Sequence, residues 1–96
     1  MTIWKDSKIA TLYYSNETAS ERHPCVVKID DTTILVEYED EGSVQYRGRN
    51  NGDGHFELQT PDLRGTATLH MCQDGTTLEG SWIEDGTRGM WRIDLE

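Results

Sequence analysis

Apolar and polar residues alternate along this chain in short runs, and each run is closed by turn formers: D-D-T, D-E-G, N-N-G, P-D and two D-G steps. Period-2 alternation sends successive side chains to opposite faces of an extended strand, whereas a helix needs apolar residues at i, i+3 and i+4. The first spacing runs throughout and the second does not occur. The pattern predicts strands over residues 8–15, 25–30, 33–39, 43–49, 53–60, 65–73, 76–84 and 87–95, joined mostly by tight turns into an antiparallel meander.

The inward phase of these strands holds Leu12 and Tyr14; Cys25, Val27 and Ile29; Ile34, Val36 and Tyr38; Val44 and Tyr46; Phe56 and Leu58. It continues with Ala67, Leu69 and Met71; Leu78, Gly80 and Trp82; Trp91, Ile93 and Leu95. Turn length dictates register, and a slip of one residue would set inward against outward positions. The predicted turns set Val27 against Val36, Tyr38 against Val44, Tyr46 against Phe56, Leu58 against Ala67 and Met71 against Leu78. In the last hairpin the Asp85-Gly86 step sets Trp82 against Gly89 and Gly80 against Trp91, so that each indole is expected to cover a glycine. The same register sets Glu79 against Arg92 on the other face, a favourable cross-strand pair.

A meander of this length with one apolar face leaves long unpaired edges unless it closes on itself. The expected fold is therefore all-β: residues 1–96 as one domain, a small up-and-down antiparallel barrel of about eight strands. A domain of 96 residues buries only about 60–70% of the surface its unfolded chain exposes, and the inward aromatics supply enough bulk to fill much of a narrow lumen.

Charge narrows the partners. A formal net charge of -9 disfavours nucleic acid and anionic membrane, both of which call for a basic surface. No apolar run approaches the ~18 residues that span a bilayer. The start, MTIWKDSK, lacks the apolar stretch of a secretory signal, so a cytoplasmic location is expected. Cys25 and Cys72 fall on opposite phases of the alternation, one inward and one outward, which argues against a disulfide between them.

The G-x-W units at Gly80-Ser81-Trp82 and Gly89-Met90-Trp91, the all-strand meander and the aromatic interior resemble the calycin barrels: lipocalins, fatty-acid-binding proteins and avidins. That resemblance implies a small apolar molecule bound in the barrel mouth. Locally, Leu78 to Trp82 followed by Gly86 and Gly89 is similar to a MORN hairpin, with a fainter copy from Tyr46-Arg47-Gly48 to Phe56.

Two functional expectations follow. The leading one is a non-enzymatic barrel that binds a small, partly apolar ligand at its mouth, with Tyr14, Tyr38, Phe56 and Trp82 as walls. The alternative is an interaction module, an inhibitor or accessory subunit, that meets a basic protein partner through an acidic rim of Glu17, Glu21, Glu39, Glu41 and Asp85. Asp40, Asp62 and Glu84 join that rim by strand counting, against Arg22 and Arg64. Leu35, Ile83 and Met90, apolar residues of the outer face, leave monomer and homodimer both open.

Catalysis is not expected, because no serine or cysteine is set beside an oriented histidine in a pocket. His55, His70, Asp53 and Cys72 are acceptable transition-metal ligand types and fall on neighbouring outward positions. On a convex face such side chains splay, and a solvated surface is the expectation there. Neither metal nor cofactor is assigned.

Overall fold

A computed structural model describes residues 1–13, 23–39 and 42–96, in which eight strands form: β1 (Thr2–Tyr13), β2 (His23–Ile29), β3 (Thr33–Glu39), β4 (Ser43–Gly52), β5 (His55–Gln59), β6 (Gly65–Met71), β7 (Thr77–Glu84) and β8 (Thr87–Asp94). Each strand pairs with its neighbours in sequence and β8 returns to β1, so the sheet is a closed antiparallel barrel. The Tyr13 end of β1, the His23 end of β2, the Glu39 end of β3 and the Ser43 end of β4 gather with the connections at 60–64 and 85–86 at one end, here the mouth. The turns at 30–32, 53–54 and 72–76 gather with the chain termini at the other, the base.

From β5 onward the expected register is the observed one: Leu58 faces Ala67, Met71 faces Leu78, Trp82 faces Gly89, Gly80 faces Trp91, and Glu79 faces Arg92. Val27 against Val36 and Tyr38 against Val44 also stand. The Asp85-Gly86 reversal has both residues at positive φ, 50° and 82°, the conformation of a two-residue hairpin turn whose twist matches its strands.

Two expectations are corrected. The first concerns β1, which begins at Thr2 and carries a bulge between Trp4 and Ser7, one residue more than its partner spans. The bulge reverses the phase. Beyond it Ser7 and Ile9 are buried, and Ile9 and Thr11 face Ile93 and Trp91. Leu12 therefore stands at a register position opposite Met90, out of phase with the inward set, while Tyr14 lies outside the described residues. The buried Ser7 hydroxyl donates to the Trp4 carbonyl (3.4 Å) and accepts from the Glu96 N–H (3.1 Å), and the Asp6 N–H donates to the Glu96 carbonyl (2.9 Å). A polar group sealed in the wall is thus satisfied on both sides.

The second correction concerns β4 and β5. Asn50-Asn51-Gly52 is not the turn: β4 runs through it with a bulge, and the chain reverses at Asp53-Gly54, both at positive φ. Asn50 is held by its own hydrogen bonds, from Nδ2 to the Asp30 carbonyl (2.9 Å) and from its N–H to the Thr32 carbonyl (3.0 Å). Phe56 consequently faces Asn50, not Tyr46, and Gly48 opposes Leu58.

The interior is filled by side chains: Val27, Ile34, Val36, Tyr46, Leu69, Leu78, Trp91 and Ile93 are each at most 2% exposed. Trp91 is their centre. The Tyr46 ring meets it edge-on at 4.8 Å, Tyr38 edge-on at 6.1 Å, and Trp82 lies tilted at 6.4 Å, arrangements that aromatic quadrupoles favour.

Glycine shapes the wall at two matching points. A Cβ placed on Gly48 would fall inside the Glu57 carbonyl, and one on Gly80 inside the Thr68 carbonyl. Glu57 and Thr68 are themselves cross-strand partners, so the β5–β6 hairpin is clasped between two close backbone approaches that only glycine permits. What crowds Gly80 is thus the β6 backbone, and the indole of Trp91 opposite is not what demands the glycine.

Gly48→Val and Gly80→Val should each lower stability by more than about 2 kcal/mol, read as a reduced urea midpoint; a neutral result at either position would show that the strands do not approach this closely. A second outcome concerns acid. Asp30, Asp62 and Asp74 cap turns, accepting bonds from the Thr32 and Thr33 N–H groups, from the Thr60 hydroxyl and from the Thr76 N–H respectively, and these bonds hold all three below the usual carboxylate range. Their folded-state values lie under their unfolded ones, so this stabilisation is complete above about pH 4 and is lost as pH falls further. Melting curves from pH 6 to pH 2 should fall less steeply for the Asp30→Asn, Asp74→Asn double variant than for the parent.

Candidate functional site

Of the aromatic walls expected for a ligand, Tyr38 and Trp82 lie near the mouth ends of β3 and β7, and each ring contacts Trp91. Phe56 does not join them. It is the second residue of β5, just beyond the base turn, faces Asn50 and Leu69, and is 3% exposed. The correction follows from the later turn of the β4–β5 hairpin. Trp82 is 5% exposed, so its ring is part of the packing, whereas Tyr38 is half-buried and reaches the surface.

The acidic rim is assembled as strand counting expects, for the part the structure describes. Glu39 closes β3 and is exposed; Asp62 stands in the β5–β6 turn; Glu84 and Asp85 lead into the β7–β8 turn. Glu17, Glu21, Glu41 and Asp40 lie outside the described residues. A cleft of about 380 Å³ opens among these turns, lined by residues 43–45, Thr60, Pro61, Asp62, Arg64, Glu84 and Asp85.

One contact ties that cleft to the core. Tyr46, fully buried, donates its phenol proton to Glu84 Oε2 at 3.1 Å. Room for the hydroxyl exists because position 65 is glycine: a Cβ there would run into Tyr46 Oη. Burial first, and then the charge of Glu84, hold the phenol above its ordinary range, so Tyr46 remains a neutral donor and the carboxylate is anchored by a rigid partner. Beside it, Thr60 Oγ1 donates to Asp62 Oδ1 (2.6 Å) and accepts from the Gly65 N–H (3.0 Å), while the Arg64 N–H also donates to Asp62 (3.1 Å). Arg64 Nε stands 3.9 Å from Asp85 Oδ1 in an exposed pair, a contact worth little in solvent. The cleft therefore presents three carboxylates and one guanidinium, two of the carboxylates held in place. Tyr46, Thr60 and Gly65 were missed by sequence reading; the signal available was a glycine at the start of a strand, in an inward position.

His55 and His70 are direct cross-strand neighbours with ring centres 6.4 Å apart. Asp53 is not opposite Cys72, because it lies in the Asp53-Gly54 turn. Among the described residues no group of three or more His, Cys, Asp or Glu side chains is placed to share a metal ion. Of the apolar residues, Ile83 is exposed and on β7, with the half-buried Met90 on the adjacent β8, but Leu35 is on β3, four strands from β7 and three from β8 around the barrel, so the three form no common patch.

Both cysteines are free. Cys25 is buried and its thiol is pushed up to about 12 by burial, partly opposed by the charge of Lys8; a thiol in that state is a poor nucleophile. Cys72, half-exposed, is also raised, by desolvation and then by Glu79 and Asp74. No family model, curated protein or solved structure matches the chain.

A thiol–disulfide exchange reagent should label one cysteine of the native protein, Cys72, slowly at neutral pH, and both after unfolding. Cys72→Ser should remove native labelling; rapid labelling of that variant would place Cys25 outside the core.

Proposed function

We propose that the barrel is a binding module whose acidic mouth receives a basic partner, with a cationic side chain seated in the cleft between residues 43–45, 60–64 and 84–85. The observation that carries this reading is the anchored carboxylate pair. Glu84 is fixed by the buried Tyr46 hydroxyl and Asp62 by Thr60 and the Arg64 N–H, so the acceptors are oriented before a partner arrives and little side-chain entropy is lost on binding. The sequence as a whole carries -9, a field that steers cations toward such a cleft.

The small-ligand reading has a specific support of its own: Tyr38 reaches the surface beside Trp91 and Trp82 at the same end. A calycin-like kinship would favour that reading, and it rests on the eight-strand up-and-down closure. Against it weighs the filled interior, in which the described side chains pack to the centre. Neither reading calls for catalysis.

A fluorescent peptide of alternating lysine and alanine separates the two. Its anisotropy titration should weaken steeply between 50 and 300 mM salt, and Asp62→Asn and Glu84→Gln should each weaken it about three- to tenfold. Glu37→Gln and Glu57→Gln, which remove the same charge from the outer wall, should change it less than twofold. Equal losses from all four would reduce the effect to net charge. An apolar dye bound and then displaced at the mouth, with no peptide binding, would instead establish the small-ligand reading.

A further inference from the structure

We propose that His55 and His70, on the outer wall near the base, form a two-point site for a divalent late first-row transition metal ion, with solvent completing its coordination. The register makes them opposite residues of β5 and β6. Opposite residues of an antiparallel pair alternate between a type that exchanges backbone hydrogen bonds and a type that does not, and side chains of the second type stand closer. The Met71 N–H donates to the Gly54 carbonyl at 2.8 Å, so 54 and 71 are the hydrogen-bonded pair. His55 and His70, next to them, are therefore of the close type.

The distances fit one ion. A Zn–N bond of roughly 2.0–2.1 Å puts each imidazole centre roughly 3.2 Å from the metal, so two rings on one ion have centres roughly 5 Å apart at a tetrahedral angle and roughly 6.4 Å apart when opposed. The observed separation is 6.4 Å with the rings tilted by 54°. Both histidines are exposed, and exposed side chains change rotamer readily. The Asp53-Gly54 turn, held at left-handed φ on both residues, pins the strand end that carries His55.

The neighbours define what the site is not. Glu79 is opposite His70 on β7, but two residues along the Cys72 N–H donates to the Thr77 carbonyl (2.9 Å), which by alternation makes 70 and 79 the wider, hydrogen-bonded type of pair. Glu79 is also engaged by Arg92 at 3.4 Å. The site is thus two imidazoles and water, a set that suits Cu²⁺ above Zn²⁺ by the usual order of divalent affinities. Holding both ligands on one rigid hairpin makes the second bond intramolecular, which is the source of its strength.

The test uses the metal alone. Isothermal titration of the full chain with Cu²⁺ and with Zn²⁺ in a weakly coordinating buffer should show one site, with Cu²⁺ tighter. His55→Asn and His70→Asn should each weaken Cu²⁺ binding at least tenfold, and the double variant should weaken it little further than either single one. His23→Asn should leave it unchanged. In histidine proton spectra, substoichiometric Cu²⁺ should broaden the His55 and His70 ring signals together and before those of His23, a readout that needs no variant. Additive losses from the two single variants, or broadening led by His23, would overturn the proposal.

Discussion

The edge-on contact of Tyr46 with Trp91 is the constraint on which the rest of this barrel depends. With ring centres 4.8 Å apart and both residues essentially without exposure, it fixes how wide the interior can be, because two aromatic rings and the aliphatic shell around them must span it at interior packing density. It also transmits the core to the rim. The same tyrosine that braces Trp91 ends in a hydroxyl bonded to Glu84, so a carboxylate at the mouth is positioned by the hydrophobic centre of the protein and does not depend on a surface loop.

Around that core the wall is bent at specific places and not uniformly. Gly48 and Gly80 let backbones approach more closely than a side chain would allow, and the bulge between Trp4 and Ser7 turns β1 so that one strand can pair with β2 on one side and β8 on the other. The faint similarity between the segments around Gly48 and Gly80 has its physical content here: both glycines flank the β5–β6 hairpin, at points set by the paired residues Glu57 and Thr68.

Most of the fold was legible wherever apolar residues occupied a single phase. Strands β6, β7 and β8 alternate cleanly, and their turns are unambiguous, so register followed from counting. In β1 the run Ile9-Ala10-Thr11-Leu12 carries apolar residues in both phases, and a backbone bulge, invisible in composition, decided between them. In the β4–β5 hairpin two turn signals, N-N-G and D-G, stand next to each other, and the hydrogen bonds of Asn50 to Asp30 and Thr32 selected the second. The rim was readable from topology alone, since alternate turns share an end. The anchoring of Glu84 was not: it joins residues 38 apart and depends on a missing side chain at position 65. Phe56 was misplaced as a wall residue for the reason that misplaced its turn.

Every pairing in this sheet but one is between strands adjacent in sequence. The exception is the seam of β1 with β8, latched by the buried Ser7 hydroxyl and the backbone of Glu96. The conformational entropy of bringing distant parts of the chain together is therefore concentrated in a single event, costing on the order of 4 kcal/mol for a loop of this length, while the hairpins assemble by local zipping. The barrel is in this sense a ribbon with one clasp, and the largest loop-closure cost of its topology falls on fastening that clasp.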